Sequence, residues 1–168
     1  VSTDALITKN PLYETQPGQY DEYDNIMKEM ETKLTQMHDM VNLLYKAKGQ
    51  IETTISELDT TKYKDVIEKG NQLVKDLTTW DEDMIQRKSK AYDDVENFPN
   101  KFTAEYIFLI NQTESSIPRV NDQNKNRKVE LDAQWNALRS KGNSFINSEI
   151  PEFNKQLWEA GIGAIIMN

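Results

Sequence analysis

Asp81-Glu82-Asp83, followed by Arg87 and Lys88, assembles side-chain types that could hydrolyse a glycoside. That chemistry needs two carboxyls about 5 to 10 Å apart on a concave surface that also holds a sugar ring. Consecutive helical residues point in different directions, so the run reads instead as a solvated helix face with an ordinary i,i+4 ion pair from Asp83 to Arg87. The other chemistry an acidic helical chain invites is a di-metal carboxylate centre, built from a Glu on each of two helices and a Glu-x-x-His pair on each of two more. The chain has one histidine, His38, and the residue three before it is Thr35. That centre therefore cannot be assembled, and His38, one position off the apolar seam, reads as a solvated or boundary side chain. No serine stands in a Gly-x-Ser-x-Gly elbow, and no phosphate loop is present. The absence of cysteine removes disulfides, iron–sulfur clusters, thiol nucleophiles and cysteine zinc sites from this chain. The sequence thus points to no catalytic residue, no metal ligand, no cofactor-binding residue and no cofactor.

Stepping from these residues to the whole chain, 168 residues make one domain's worth of polypeptide, enough to bury a sizeable core. Twenty Lys and Arg against 28 Asp and Glu leave a formal net charge of −8. Such a surface repels phosphate backbones unless a basic patch is segregated. The densest basic stretch, Gln86-Arg87-Lys88-Ser89-Lys90, lies between Asp81-Glu82-Asp83 and Asp93-Asp94, which argues against a nucleic-acid partner. The longest apolar run, Ile162 to Met167, falls far short of the roughly 20 residues of a membrane span.

The elements that must position all of this are helices. Tyr23, Met27, Met30, Leu34, Met37, Val41, Leu44, Lys48, Ile51, Ile55 and Leu58 recur in steps of three and four, which is a helix seam and not a strand. Lys48 breaks it, and its stem is expected to lie across the seam with the ammonium in water. Asp59-Thr60-Thr61 supplies turn and capping side chains where that seam stops. A second seam runs through Tyr63, Val66, Ile67, Gly70, Leu73, Val74, Leu77, Trp80, Met84 and Ile85 to Tyr92 and Val95, closed by Pro99. Thr103 is expected to cap a shorter third helix with Tyr106, Ile107, Leu109 and Ile110 inside, ending near Ser115-Ser116. Pro118 suits the first turn of a fourth. Its seam is Val120, Asn124, Arg127, Leu131, Trp135, Leu138, Gly142, Phe145 and Ile146, with polar Asn124 and Arg127 predicting a less buried start. Pro151 starts or kinks a last piece carrying Phe153, Leu157 and Trp158, and Gly161 ends it as a left-handed cap. Whether the third and fourth helices form one kinked rod or a hairpin stays open on pattern alone.

The expectation is an all-α fold, an elongated antiparallel helical bundle of three long helices plus one short helix. Residues 1–18 read as a lead-in from a preceding domain, 19–160 as the bundle, and 161–168 as an apolar C-terminal tail. The methionines Met27, Met30, Met37, Met40 and Met84 and the three tryptophans sit at seam spacing or beside it and read as core. The tail is too short for a seam and too apolar to hang free, so it should lie on a core or join a sheet edge. Asn111-Gln112-Thr113 matches an N-glycosylation pattern, but it falls within a predicted helix.

Several runs of the second half carry a resemblance: Trp80-Asp81-Glu82-Asp83, Gln86 through Asp94, Asn97-Phe98-Pro99-Asn100-Lys101, Ile150-Pro151-Glu152-Phe153-Asn154, and Leu157 through Gly161. Together they resemble the C-terminal helical region of large exported Bacteroidetes proteins that carry a sortilin-like or BNR-repeat β-propeller and are often described as glycosyl hydrolases. The likeness covers about residues 75 to 161. It implies that the chain is a C-terminal fragment, that its parent is periplasmic or on the cell surface, and that any glycosidase activity belongs to the propeller. The implied partners are the upstream β domains, with Val1 to Leu6 just after them, and the chain's opening at Val1 fits a processed or excised piece. Asp59-Thr60-Thr61 also resembles the Asp-Thr-x pattern that exported Bacteroidetes proteins use for O-glycosylation, and capping explains it equally. The function expected is a non-catalytic accessory or interaction module, with self-association among its contacts. The alternative is direct participation in carbohydrate binding or glycoside hydrolysis through exposed aromatics such as Tyr13, Tyr20 and Tyr45.

Overall fold

The computed structural model describes residues 15, 18–88 and 99–167. Among them there is no strand; the elements are α1 (Gln19–Ser56), α2 (Lys64–Met84), α3 (Phe102–Glu114), α4 (Asp122–Ser144) and α5 (Ile150–Glu159). The regular structure of the described residues is all helical, as the seams require. The predicted seam of α1 is buried at Tyr23, Met27, Met30, Met37, Val41, Leu44 and Ile51, and Asp21 and Glu22 fill its first turn, where carboxylates complement the helix dipole. Thirty-eight residues give it a length of about 57 Å.

Side-chain neighbours give the helix directions. Lys48 meets Thr78 and Ile55 lies over Gly70, so α2 runs antiparallel to α1. Tyr106 meets Asp132 and Thr113 meets Asn124, so α3 and α4 form an antiparallel hairpin. Glu29 meets Lys128 and Lys33 meets Asp132, so α4 runs parallel to α1. The half of α1 nearer its C-terminus is covered by α2, and the half nearer its N-terminus by α3.

The turn into α2 is held by Asp59. Its carboxylate accepts the backbone N–H of Thr61 at 2.9 Å and of Lys62 at 2.8 Å, which holds its pKa below the usual carboxylate value. The second helix is shorter than its seam suggested. It stops at Met84, because Ile85 is extended at φ −140° and ψ 140°. Tyr92 and Val95 lie outside the described residues, and so do 1–14 of the lead-in. Thr103 is not a cap: Lys101 holds that position, and the buried Thr103 hydroxyl donates to the Met84 carbonyl at 2.9 Å, tying α3 to the end of α2. Pro118 does not open α4 either. It follows a cis peptide bond in the preceding turn, and Asn121 caps α4 by accepting the Asn124 N–H at 2.8 Å. Asn124 is buried rather than exposed, because its amide donates to the buried Thr113 hydroxyl at 3.3 Å.

Between α4 and α5 the helix widens to a π-turn at Phe145–Glu149. Proline at 151 has no N–H to donate, and its ring crowds the carbonyl four residues back. The extra residue relieves that clash, and the Ile150 N–H reaches back five residues to the Phe145 carbonyl. The buried series is consequently Phe145, Ile150, Phe153 and Leu157, with one step of five. Trp158, about 100° round the helix from buried Leu157, is 80% exposed, against its expected place in the core; Ile107 also faces out. Trp80 and Trp135 are buried as expected.

Gly161, at φ +74°, ends α5 in a Schellman motif, with its own N–H on the Trp158 carbonyl at 3.0 Å and the Ile162 N–H on the Leu157 carbonyl at 2.8 Å. The tail then turns back over the bundle and buries Ile165 to 4% exposure.

Candidate functional site

The cleft beside the end of α2 holds the residues that opened the sequence analysis. It measures about 400 Å³, with Tyr45 and Lys48 from α1 on one wall and Thr78, Asp81 and Glu82 from α2 on another. The segment after α2 brings Arg87 and Lys88 to the same space.

Asp81 is buried at 7% exposure and faces Arg87. The guanidinium donates from Nε to one carboxylate oxygen at 2.6 Å and from Nη2 to the other at 2.7 Å. This fork-to-fork geometry is the strongest form of the pair. The expected Asp83–Arg87 pair is therefore not the one formed. It required a continuous helix through Arg87, whereas the chain leaves the helix after Met84 and folds Arg87 back onto Asp81. The hydrogen bond to Asp81 raises the Arg87 pKa beyond its already high value. The same guanidinium lies over the Tyr45 ring, 3.9 Å from its centroid, and Lys48 approaches that ring at 5.4 Å. Lys48 is half-buried rather than free in water; its ammonium donates to the Thr78 hydroxyl at 3.4 Å and pairs with Glu52 at 3.7 Å. The Thr78 hydroxyl in turn donates to the Val74 carbonyl at 2.7 Å.

Chemically, both oxygens of Asp81 accept from one cation, and the Thr78 hydroxyl is committed to backbone. Among the described residues of the cleft no nucleophile is paired with a base. The arrangement locks the end of α2 to α1 through a carboxylate, a guanidinium and an aromatic face.

A second cluster of ionisable groups joins α1 to α4. Glu29, Lys33, Lys128 and Asp132 form a square of alternating charge: Glu29–Lys128 at 2.8 Å, Lys128–Asp132 at 2.8 Å, Asp132–Lys33 at 2.8 Å and Lys33–Glu29 at 2.5 Å. The Tyr106 hydroxyl donates to the remaining Asp132 oxygen at 2.9 Å. Burial pushes the Asp132 carboxyl upward, but hydrogen bonds from Lys128, Lys33 and Tyr106 outweigh it and leave the pKa lowered. Hydrogen bonds from Lys128 and Lys33 lower that of Glu29. Burial works against charged Lys33, yet its bonds to Asp132 and Glu29 leave its pKa raised. Burial and the bond to Asp132 push the Tyr106 phenol well above its ordinary range. Each charge is satisfied by its neighbours, and the square is a fastening.

His38 is exposed on α1. Among the described residues no group of three or more His, Asp or Glu side chains is placed to hold a metal ion, and no helix is long and apolar enough to cross a membrane. Tyr13 lies outside the described residues, Tyr20 is exposed, and Tyr45 has Arg87 against its ring. Asn111 is exposed within α3, while Thr113 is buried with its hydroxyl on the Leu109 carbonyl. Two side chains that nothing in the sequence spacing marks, Gln50 and Asn154, hold the tail by its backbone.

No protein-family model matches the chain, and neither a curated protein nor a solved structure shows significant similarity to it.

Proposed function

We propose that this chain is a non-catalytic helical accessory module, the C-terminal region of a larger exported protein of the sortilin-like propeller type, acting outside the cytoplasm. In this reading the elongated antiparallel bundle spaces or braces the upstream β domains, and any glycosidase chemistry belongs to the propeller.

The observation that carries the accessory role is the contrast between the ionisable groups and the apolar surface. Asp81, Arg87 and the four charges joining α1 to α4 pair with one another, so the two ionisable clusters described above act as fastenings. Phe108, at 61% exposure, Trp158, Val129, Ile117 and Ile166 meanwhile stand in solvent. A neighbouring domain seated on any of these side chains would remove apolar surface from water. The fragment, the propeller and the exported location are supported by the resemblance of residues 75 to 161.

The coding sequence upstream of Val1 tests the architecture: a β-sandwich preceded by a propeller is expected, and an unrelated upstream domain overturns it. Calorimetry of the chain against a glycan panel tests the role. No saturable heat is expected. Saturable binding abolished by Tyr20→Ala or Tyr45→Ala would establish carbohydrate binding by the module instead.

A further inference from the structure

The tail is held in an unusual way. Asn154 on α5 donates from its amide nitrogen to the Ile165 carbonyl at 3.0 Å and accepts the Ile165 N–H at 2.7 Å. Gln50 on α1 does the same for the next residue, donating to the Ile166 carbonyl at 2.9 Å and accepting the Ile166 N–H at 2.9 Å. In extended backbone, successive residues present their N–H and C=O to opposite sides. One primary amide therefore serves each edge, in the way a neighbouring strand would, and the Ile165 side chain is buried beneath. Ile162 and Met167 pack against the core on either side of it.

We infer that Gln50 and Asn154 form a binding seat for extended backbone, filled in cis by the chain's own tail, and that it accepts the tail of a second copy of this chain. The occupant follows from the contacts. They consist of paired backbone amides and one buried isoleucine, and a second copy's residues 164–167 reproduce every one of them. The Schellman bonds hold Gly161 in the left-handed region, and Gly163 two residues on supplies the joint at which the tail is redirected. Reciprocal exchange of residues 164–167 preserves the amide pairs and the buried isoleucine and forfeits the high effective concentration of a tethered tail, of the order of millimolar for a short linker. The seat exchanges partners when its own tail is out of place. This inference is independent of the accessory-module reading, since neither Gln50 nor Asn154 enters that argument.

The experiment mixes two full-length variants that are defective in complementary ways. Ile165→Asp cannot bury its tail and leaves the seat empty; the double variant Gln50→Ala, Asn154→Ala has a normal tail and a disabled seat. Far-UV circular dichroism checks that each keeps its helices, and loss of hydrogen-exchange protection at the Ile166 amide checks that the Ile165→Asp tail is out. At about 0.5 mM of each chain, comparable with the effective concentration of a tethered tail, each variant alone should sediment as a monomer and the mixture as a one-to-one pair. Two folded variants that stay monomeric when mixed overturn the inference. If the seat variant loses its helices, the peptide of residues 161–168 serves as tail donor for Ile165→Asp. Protection returning at the peptide's own amides supports the inference, and its absence overturns it.

Discussion

The two halves of this bundle share one apolar core and differ in what is added to it. Toward the C-terminal end of α1, contact with α2 and α5 is close and apolar: Gly70 lets Ile55 and Phe153 approach the α2 backbone, and Trp80 packs beside Gly142. Toward the N-terminal end, contact with α4 is made by Glu29, Lys33, Lys128 and Asp132, with Glu22–Lys125 beyond them. Apolar burial is strong but non-directional. The charged square is weaker and directional. Along α1 the order is acid then base; along α4 it is base then acid. Two parallel helices with these opposite orders place unlike charges opposite each other, whereas an antiparallel pairing would set Glu29 against Asp132 and Lys33 against Lys128. The shared core supplies stability in both halves, and the square adds to one of them a preference for the parallel arrangement of α1 and α4.

The sharpest way to break that contrast is in the apolar half. Trp80→Ala removes a fully buried ring and its hydrogen bond to the Leu138 carbonyl. It should cost about 3 to 5 kcal/mol in urea unfolding. A cost under about 1 kcal/mol would show that this core collapses without penalty.

Gly70→Ala comes next. A β-carbon there would lie 2.6 Å from the Ile55 Cγ2 and 3.1 Å from the Phe153 ring. Overpacking of this kind costs about 1 to 3 kcal/mol, against a gain of about 1 kcal/mol in helix propensity. A net loss is expected, and on an Ile55→Ala background the same substitution should become neutral or stabilising. Equal effects in both backgrounds would mean that the close approach is not what glycine serves.

In the charged half, the double change Glu29→Lys with Lys33→Glu places like charges opposite each other across α1 and α4. A loss of about 1 to 2 kcal/mol is expected, recovered when Lys128→Asp and Asp132→Lys are added. Failure of the quadruple variant to recover would remove the directional role of the square.

The smallest effect is that of Asp132→Asn, about 1 kcal/mol at neutral pH for a partly exposed pair. The Asp132 pKa is lowered on folding, so its contribution is fully present above the unfolded carboxylate value and disappears as pH falls through the lower folded value. The gap between wild type and variant should therefore close in acid, and unfolding curves at pH 7 and pH 2 measure it.

Much of this architecture was legible before any coordinates. The α1 seam and the cap at Gly161 follow from periods and turn chemistry that are local. What was not legible was decided by small local departures with distant consequences. The end of α2 came early because Ile85 goes extended, and that change carried Arg87 from an expected Asp83 to Asp81. The single extra residue of the π-turn before Pro151 shifted the buried face so that Ile150 follows Phe145 inside, and with Leu157 buried its neighbour Trp158 faces water. Thr103 looked like a cap because its type is right, but a buried hydroxyl facing the Met84 carbonyl does more for the junction. Gln50 and Asn154 gave no signal, since a primary amide that binds backbone looks in sequence like any other polar surface residue.

The sequence by itself determined the helical class, the faces that α1 and α4 bury, and the absence of cysteine or multi-histidine chemistry. These depend on residue type and on spacing within one helical turn or two. Tertiary structure alone decided which charges pair, which tryptophan faces water and where the tail rests. Those outcomes depend on the directions of separate helices and on one-residue shifts in register, which change a partner several ångströms away without changing any local preference.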